Sequence, residues 1–247
     1  MSTPLEQFIK QQIEHSGPLD VGQYMGIALG HPEHGYYMKR DPLGWEGDFT
    51  TAPEISQMFG EILAVWAADA WLALRAPKKF ALVECGPGRG TLLKDLLRAV
   101  RKVEGFLDAA EVHLVEMSDV LKEKQTQNLS DYSPVWHKTL ESVPDDMPLI
   151  VIGNEFLDAL PFRQFVFDGG VWKVRVVGVE DDALVLGLRA AGPYAKNFSK
   201  ADLDDVYEIS PTRESFVKNL SDRLRAQKCA AVLIDYGSIT GGFGDTV

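Results

Sequence analysis

The sequence predicts an α/β fold built on a parallel, Rossmann-like sheet, with a helical N-terminal region and an inserted antiparallel β meander. Three observations predict it. Apolar runs at 80–85 (FALVEC), 111–116 (EVHLVE), 148–155 (PLIVIGNE) and 229–237 (CAAVLIDYG) alternate with helix-like segments. Near-continuous apolar strands of this kind are covered on both faces by helices. The first run opens directly into a glycine cluster, Gly86-Pro87-Gly88-Arg89-Gly90. The stretch 162–188 breaks the rhythm with three alternating runs separated by the turn signals DGG and EDD.

The elements follow in order. Thr3 and Glu6 form a capping box with Pro4 at the first helical position, and Leu5, Phe8, Ile9 and Ile13 share a face. Asp20 and Gln23 open a second short helix to Leu29, stopped by Gly30 and Pro32. A loop rich in Gly, His and aromatics leads to a long helix from Ser56 to Leu74, whose expected apolar stripe is Met58, Phe59, Ile62, Leu63, Trp66 and Ala70. After the glycine cluster a helix is expected from Thr91 to Val103, and another over 119–129. Ser210 caps a helix with Pro211 in its first turn, leading to the last apolar run. The expected segments are 1–78 (N-terminal helical lid), 79–161 (core), 162–205 (meander) and 206–247 (core continued).

Composition narrows the function classes. The 247 residues are 45% hydrophobic and 25% charged, with a formal net charge of −11. That balance argues against a dedicated nucleic-acid binder, which needs a basic face for phosphates. Two cysteines, Cys85 and Cys229, are too few for a disulfide framework or a zinc cage and read as buried thiols. No run approaches the about 18 apolar residues of a membrane span. The first residues resemble neither a signal nor a transit peptide, so the expected location is the cytoplasm, or the mitochondrial matrix for a processed eukaryotic member.

Three ligands compete for the glycine cluster. A Walker A loop needs Gly-Lys-Ser/Thr, and here Gly90-Thr91 lacks the lysine. A dinucleotide fingerprint is G-x-G-x-x-G with an acid about 20 residues on, whereas this spacing is G-x-G-x-G and Glu116 lies further away. The third is the S-adenosylmethionine site of class I methyltransferases, an acid followed by x-G-x-G-x-G. Glu84, Gly86, Gly88 and Gly90 match it, with Glu116 at the next strand end for the two ribose hydroxyls and Glu84 near the amino end. The bland alternative is a strand–turn–helix whose glycines serve packing.

Several blocks resemble one family: HGYYM (34–38), GDFTTAPEISQMFGE (47–61), VECGPGRGTLLKDLL (83–97), LVEMS (114–118), NEFLDALPFRQF (154–165) and IDYG (234–237). Together they resemble the MidA-like methyltransferases, a family that includes a mitochondrial arginine methyltransferase assisting respiratory complex I assembly. The resemblance implies a class I S-adenosylmethionine-dependent methyltransferase fold with S-adenosyl-L-methionine as cofactor. It also implies a protein substrate, for the mitochondrial member an arginine of a complex I subunit. It implies a continuation beyond the last strand, so the sheet's closing C-terminal strands are expected to be missing.

Other residues were assigned from placement. Asn154, Glu155 and Asp158 end a strand beside the glycine loop, where carboxylates can orient a guanidinium and accept its proton. The alternative is a polar loop with a helix cap. Thr50, Thr51 and Pro53, with Gly47, Asp48, Phe49 and Glu54, lie in a loop expected to contact the cofactor; a Thr51-x-x-Glu54 capping box is the compatible bland reading. Asp235 can line the cleft or cap a turn. His31 and His34 make a weak metal pair, and no metal is expected. Tyr36 and Tyr37 read as packing, and Trp66 and Trp71 as core. The rival functions are a small-molecule methyltransferase, a non-catalytic assembly chaperone and a NAD-dependent oxidoreductase.

Overall fold

A computed structural model describes residues 2–39, 51–193, 198, 202–237 and 243–246. In chain order the main elements are α1 (Pro4–Ser16), β1 (Leu19–Asp20), α2 (Val21–Gly30), α3 (Tyr36–Lys39), α4 (Ala52–Ile55) and α5 (Gln57–Ala73). There follow β2 (Phe80–Cys85), α6 (Thr91–Val100), α7 (Phe106–Ala109), β3 (Ala110–Val115), α8 (Asp119–Asn128), β4 (Val135–His137) and β5 (Leu149–Asn154). The remainder are β6 (Arg163–Asp168), β7 (Val171–Glu180), β8 (Ala183–Ala190), β9 (Val206–Ile209), α9 (Pro211–Ala226) and β10 (Cys229–Ile234).

The chain divides into two compact units. One joins Met1–Tyr36, Leu160–Glu214 and Gly237–Val247; the other joins Tyr37–Ala159 and Ser215–Tyr236. Contacts thus group residues across the sequential segments, because the meander's strands pair with β1 near the N-terminus and with β9.

The second unit carries a five-stranded parallel sheet in the order β10-β5-β2-β3-β4. Strand alternation sorts its side chains. Phe80, Leu82, Val112, Leu114, Ile150 and Ile152 join the core formed with α5 and α6. Ala81, Val83, Cys85, Val115, Leu149 and Val151 join a second core that includes Leu220 of α9. A fully buried strand must be apolar on both faces, which is why FALVEC reads as one unbroken run. The chain moves outward from β2 to β3 and β4, then returns past β2 to β5 and β10. The switch between β2 and β5 opens a crevice at the strands' carboxyl ends, where open α/β sheets bind ligands.

The first unit holds the antiparallel meander, in which β6, β7 and β8 pair in succession. Both hairpins turn through two left-handed residues, Gly169-Gly170 (φ 61° and 82°) and Asp181-Asp182 (φ 48° and 61°). Two positive φ values match the twist of the flanking strands. Lys10 bonds Asp182, Ile9 and Ile13 pack on Leu19 and Val177, and so α1 belongs with this sheet.

Several expectations need correction. The buried face of α5 is Leu63, Ala64, Ala67, Ala68, Ala70 and Trp71, while Met58 and Ile62 are exposed. The helix approaches α6 through small residues: a Cβ on Gly60 would lie 2.7 Å from the Asp95 Cβ and 2.9 Å from the Leu92 carbonyl oxygen. Ridge packing at that distance selects glycine and alanine, not the largest apolar side chains. Helix α6 stops at Val100 rather than Val103. Asp20 and Gln23 form a full capping box, and at Thr3 the hydroxyl accepts the Glu6 amide while the Glu6 carboxylate also pairs with Lys10. Cys85 is buried and Cys229 only partly so. The short strands β4 and β9 were not anticipated.

Gly60→Ala tests the close approach. Helix propensity alone favours alanine by about 1 kcal/mol. We expect the clash to dominate and lower stability by about 1–3 kcal/mol in urea unfolding; a gain in stability would show that α5 and α6 have room to separate.

Candidate active site

The site is built where β2, β3, β5 and β10 end. After Cys85 the chain makes one more ladder bond, from the Gly86 amide to the Val115 carbonyl at 3.1 Å. It then turns through Gly86, Gly88 and Gly90 with φ values of 66°, 54° and 80°. Left-handed backbone at three alternating positions requires glycine. Gly86 has a second reason, since a Cβ there would lie 2.9 Å from Cδ2 of Phe156. Gly90 is the N-cap of α6 and offers no capping side chain, so the helix begins on its own amides. Such a terminus favours anionic groups.

Two carboxyl groups flank this loop. Glu84, on β2, is 2% exposed, and its Oε2 has no hydrogen-bond partner among the described residues. Burial, then the charge of Glu116, pushes its carboxyl up to about 8. Glu116, just past β3, is well supplied. Its Oε1 accepts from the amides of Met117 and Ser118, both at 2.8 Å, and its Oε2 from Gln125 Nε2 at 3.1 Å. Burial still raises it above the usual carboxylate range, with those bonds opposing the rise. Buried like charges seldom ionise together, and the one with donors ionises first.

Past β5, Glu155 extends the ladder by donating its amide to the Ile234 carbonyl at 2.8 Å. Its φ of 49° is left-handed, a conformation that costs a non-glycine residue about 1–2 kcal/mol. Its carboxylate accepts from Tyr236 Oη at 3.2 Å and from Asn154 Nδ2 at 3.5 Å. Asp235 resolves the choice left open above. Its Oδ2 accepts the amides of Leu157 at 2.8 Å and Asp158 at 3.1 Å, so it anchors the loop carrying Glu155 and Asp158.

Pro53, in α4, sits beside Glu54, whose carboxylate pairs with Arg89 Nη1 of the glycine loop at 3.6 Å. Thr51 stands at the N-cap of α4 without a side-chain capping bond. The expected Thr51–Glu54 box therefore does not form, because Glu54 is drawn to the guanidinium. Thr50, with Gly47, Asp48 and Phe49, lies outside the described residues. His31 Nδ1 accepts the amides of Glu33 and His34, a local turn contact.

Gln125 escaped the sequence reading, and Tyr37, read there as packing, lies among charged groups. Tyr37 is half-buried, and its phenol is pushed up by burial first and then by the charges of Asp158 and Glu116. One hydroxyl thus faces acids from two strand ends. Its carbonyl accepts from Ser118 Oγ at 2.5 Å. Gln125 is fully buried on α8 and bonded to both Glu116 and the Gly88 carbonyl. Neither carries a spacing signal, since the partners are brought together only by the fold.

Comparisons with known proteins agree with this geometry. Residues 62–247 match the family described as "Putative S-adenosyl-L-methionine-dependent methyltransferase". The chain is 35% identical over 263 residues to the Bos taurus protein named protein arginine methyltransferase NDUFAF7, mitochondrial, covering 95% of this chain and 59% of that one. It is 34% identical over 270 residues to the Drosophila melanogaster homolog of that protein, covering 94% and 60%. The chain thus spans about six-tenths of the length of the curated relatives it matches. A crystal structure of a COG1565 superfamily member from Burkholderia thailandensis bound to S-adenosyl-homocysteine superposes with a TM-score of 0.80 at 28% identity, over 95% of this chain and 62% of that one. The native crystal structure of a COG1565 superfamily protein from the same organism gives 0.76 at 28% identity, over 96% and 62%. A parallel sheet with acids at adjacent strand ends, a glycine turn between them and a sequence match over three-quarters of its length place this chain in the MidA-like S-adenosyl-L-methionine-dependent methyltransferase family.

Proposed function

We propose that the chain binds S-adenosyl-L-methionine and serves the transfer of its methyl group to an arginine side chain of a protein. The observation that carries this reading is Glu84, a carboxyl sealed from water with an unpartnered oxygen, beside a glycine loop at the sheet's switch point. A buried polar atom of that kind demands a partner. A cationic amino group supplies one, which a bland packing turn does not explain. The residues present fit the cofactor. Glu84 would hold its ammonium. Gly86, Gly88 and Gly90 would let it approach the backbone. Glu116 would turn the remaining acceptor capacity of Oε2 to the ribose hydroxyls, and Thr50, Thr51 and Pro53 would border the loop. When bound, the cofactor supplies a methyl group already activated by a sulfonium.

The chain's own residues then orient the acceptor. A guanidinium keeps its proton up to a pKa above about 12 and is a poor nucleophile. On our reading Glu155 and Asp158 align it and localise its charge, Glu155 accepts the departing proton, and Asn154 and Tyr236 hold Glu155 in place. The left-handed backbone at Glu155 supports this role, because strain at a loop tip is kept where it positions a working group.

A protein acceptor is supported by the relatives named protein arginine methyltransferases. A respiratory complex I subunit as that acceptor rests on the family resemblance. The net charge of −11 supports a cationic rather than a nucleic-acid partner. Among the described residues no helix is long and apolar enough to cross a membrane. We assign the protein to the cytoplasm, or to the mitochondrial matrix in a processed eukaryotic form. Segments 79–161 and 206–247 serve as the cofactor core on this reading.

Calorimetry and single-turnover methylation separate the roles. Glu116→Ala is expected to weaken S-adenosyl-homocysteine binding by about 10–100-fold, the loss of a charged hydrogen-bond acceptor. Glu155→Gln is expected to hold the dissociation constant within about twofold while slowing transfer by about 100-fold or more. Equal loss of binding in both variants would contradict the division of labour.

Glu84 gives a pH dependence whose sign follows from its raised carboxyl. In the ligand-free protein it is protonated at neutral pH, and an ammonium ligand requires the ionised form. Affinity for S-adenosyl-homocysteine should therefore rise as pH rises toward about 8 and level off above it. Without ligand, the raised value contributes stability that is full at low pH and is lost as pH climbs to about 8, so Glu84→Gln should gain stability over the parent across that window. A parent affinity that is flat between about pH 6 and pH 9 would exclude a titrating Glu84 from the site.

A further inference from the structure

We propose that Gln125 is a positioning residue for the cofactor, tying the ribose-facing carboxylate of Glu116 to the glycine loop at Gly88 and so fixing the spacing between the two halves of the binding site. The proposal rests on the cofactor reading above and deepens it.

Both N–H groups and the oxygen of the side-chain amide are bonded. Nε2 donates to the Gly88 carbonyl at 2.7 Å and to Glu116 Oε2 at 3.1 Å, while Oε1 accepts from Trp136 Nε1 at 2.8 Å. An indole N–H only donates, so it fixes which way the amide faces and directs both N–H groups at the two acceptors. The residue is fully buried, so water competes for none of these bonds. One turn on, Asn128 Nδ2 donates to the Arg89 carbonyl at 2.9 Å, and its Oδ1 accepts from Lys94 Nζ at 3.3 Å. Helix α8 thus holds two successive carbonyls of the loop. A planar trans peptide turns its N–H opposite its C=O, so holding the Gly88 carbonyl turns the Arg89 amide away from α8. Gly90 allows the close approach, since a Cβ there would lie 3.2 Å from Leu129 Cδ1 and 3.6 Å from the Gln125 Cα.

A glutamine that merely fills the core would be replaceable by any residue that keeps the fold. A positioning glutamine must donate twice. Gln125→Glu distinguishes the two, because its carboxylate repels Glu116 and the Gly88 carbonyl when ionised and donates once when protonated. The charged groups around it are Glu116 past β3, Glu84 on β2, Lys122 on α8 and Lys94 on α6. The new carboxyl titrates as a coupled set with Glu116 and Glu84, so the variant is compared with the parent at each pH.

The experiment is calorimetric titration of the full chain with S-adenosyl-homocysteine, for the parent, Gln125→Glu and Trp136→Phe, with ligand-free melting of each. At about pH 8 we expect Gln125→Glu to bind about 10–100-fold more weakly than the parent, a deficit shrinking to about threefold near pH 5.5. Trp136→Phe keeps Gln125 but frees its Oε1. It is expected to bind about three- to tenfold more weakly, and it carries the test if Gln125→Glu does not fold. Parent-like binding at about pH 8 in either folded variant overturns the proposal, as does a Gln125→Glu deficit that ignores pH. A parent that binds no S-adenosyl-homocysteine overturns the cofactor reading itself, and this proposal with it.

Discussion

The site depends on one electrostatic constraint: two carboxyl groups, Glu84 buried and Glu116 half-buried, lie at the ends of adjacent parallel strands, and the donors are given to Glu116. Glu116 receives two backbone amides and a glutamine amide, whereas the Glu84 Oε2 receives nothing among the described residues. Desolvating an unpaired carboxylate is costly, so burial favours the neutral form of Glu84. The parallel sheet makes this possible. Register pairs Glu84 with Leu114 and Cys85 with Val115, which sets Glu116 just beyond the last ladder pair. The acids thus meet at the carboxyl ends of two inner strands, with the glycine turn between them.

The remaining contacts keep that arrangement from relaxing. Without a fixed loop, the Gly88 peptide could rotate its carbonyl toward the acids, where like partial charges repel. Gln125 and Asn128 hold the loop from α8, and the Arg89–Glu54 pair holds it from α4. On the other side of the switch point, Asp235 holds the Leu157 and Asp158 amides and keeps Glu155 in its left-handed backbone. Phe156 packs on Gly86, so the two loops that flank the switch are in direct contact. The result is a frame that keeps the unpartnered Glu84 oxygen beside the glycine turn.

What could be read in the sequence divides along range of interaction. The strands β2, β3, β5 and β10, the meander and the Asp20 capping box were legible, because apolar runs, DGG-type turns and N-cap spacing are local signals. Glu84 and Glu116 were legible because each lies within one residue of a strand end, and Gly86, Gly88 and Gly90 because they follow the first strand at alternating positions. Gln125 was not, since nothing within α8 marks one of its polar residues as the one that turns inward. In the α5 stripe Leu63 and Ala70 are buried as expected, but Met58 and Ile62 are exposed because Gly60 and the alanines bring α6 close, a preference visible only when the partner helix is in place. The Thr51–Glu54 box failed for a similar reason: an arginine distant in sequence outcompeted a local amide. The strand β4 is three residues long, too short for an alternating pattern to mark it.

The most direct test of the account is the titration of the Glu84 carboxyl itself, followed by NMR in protein labelled with carboxyl-¹³C glutamate, with Glu84→Gln used for assignment. The account predicts a resonance that titrates near pH 8 in the ligand-free protein and stays ionised through neutral pH once S-adenosyl-homocysteine is bound. A resonance titrating near the ordinary carboxylate value, or one that ignores the ligand, would contradict it.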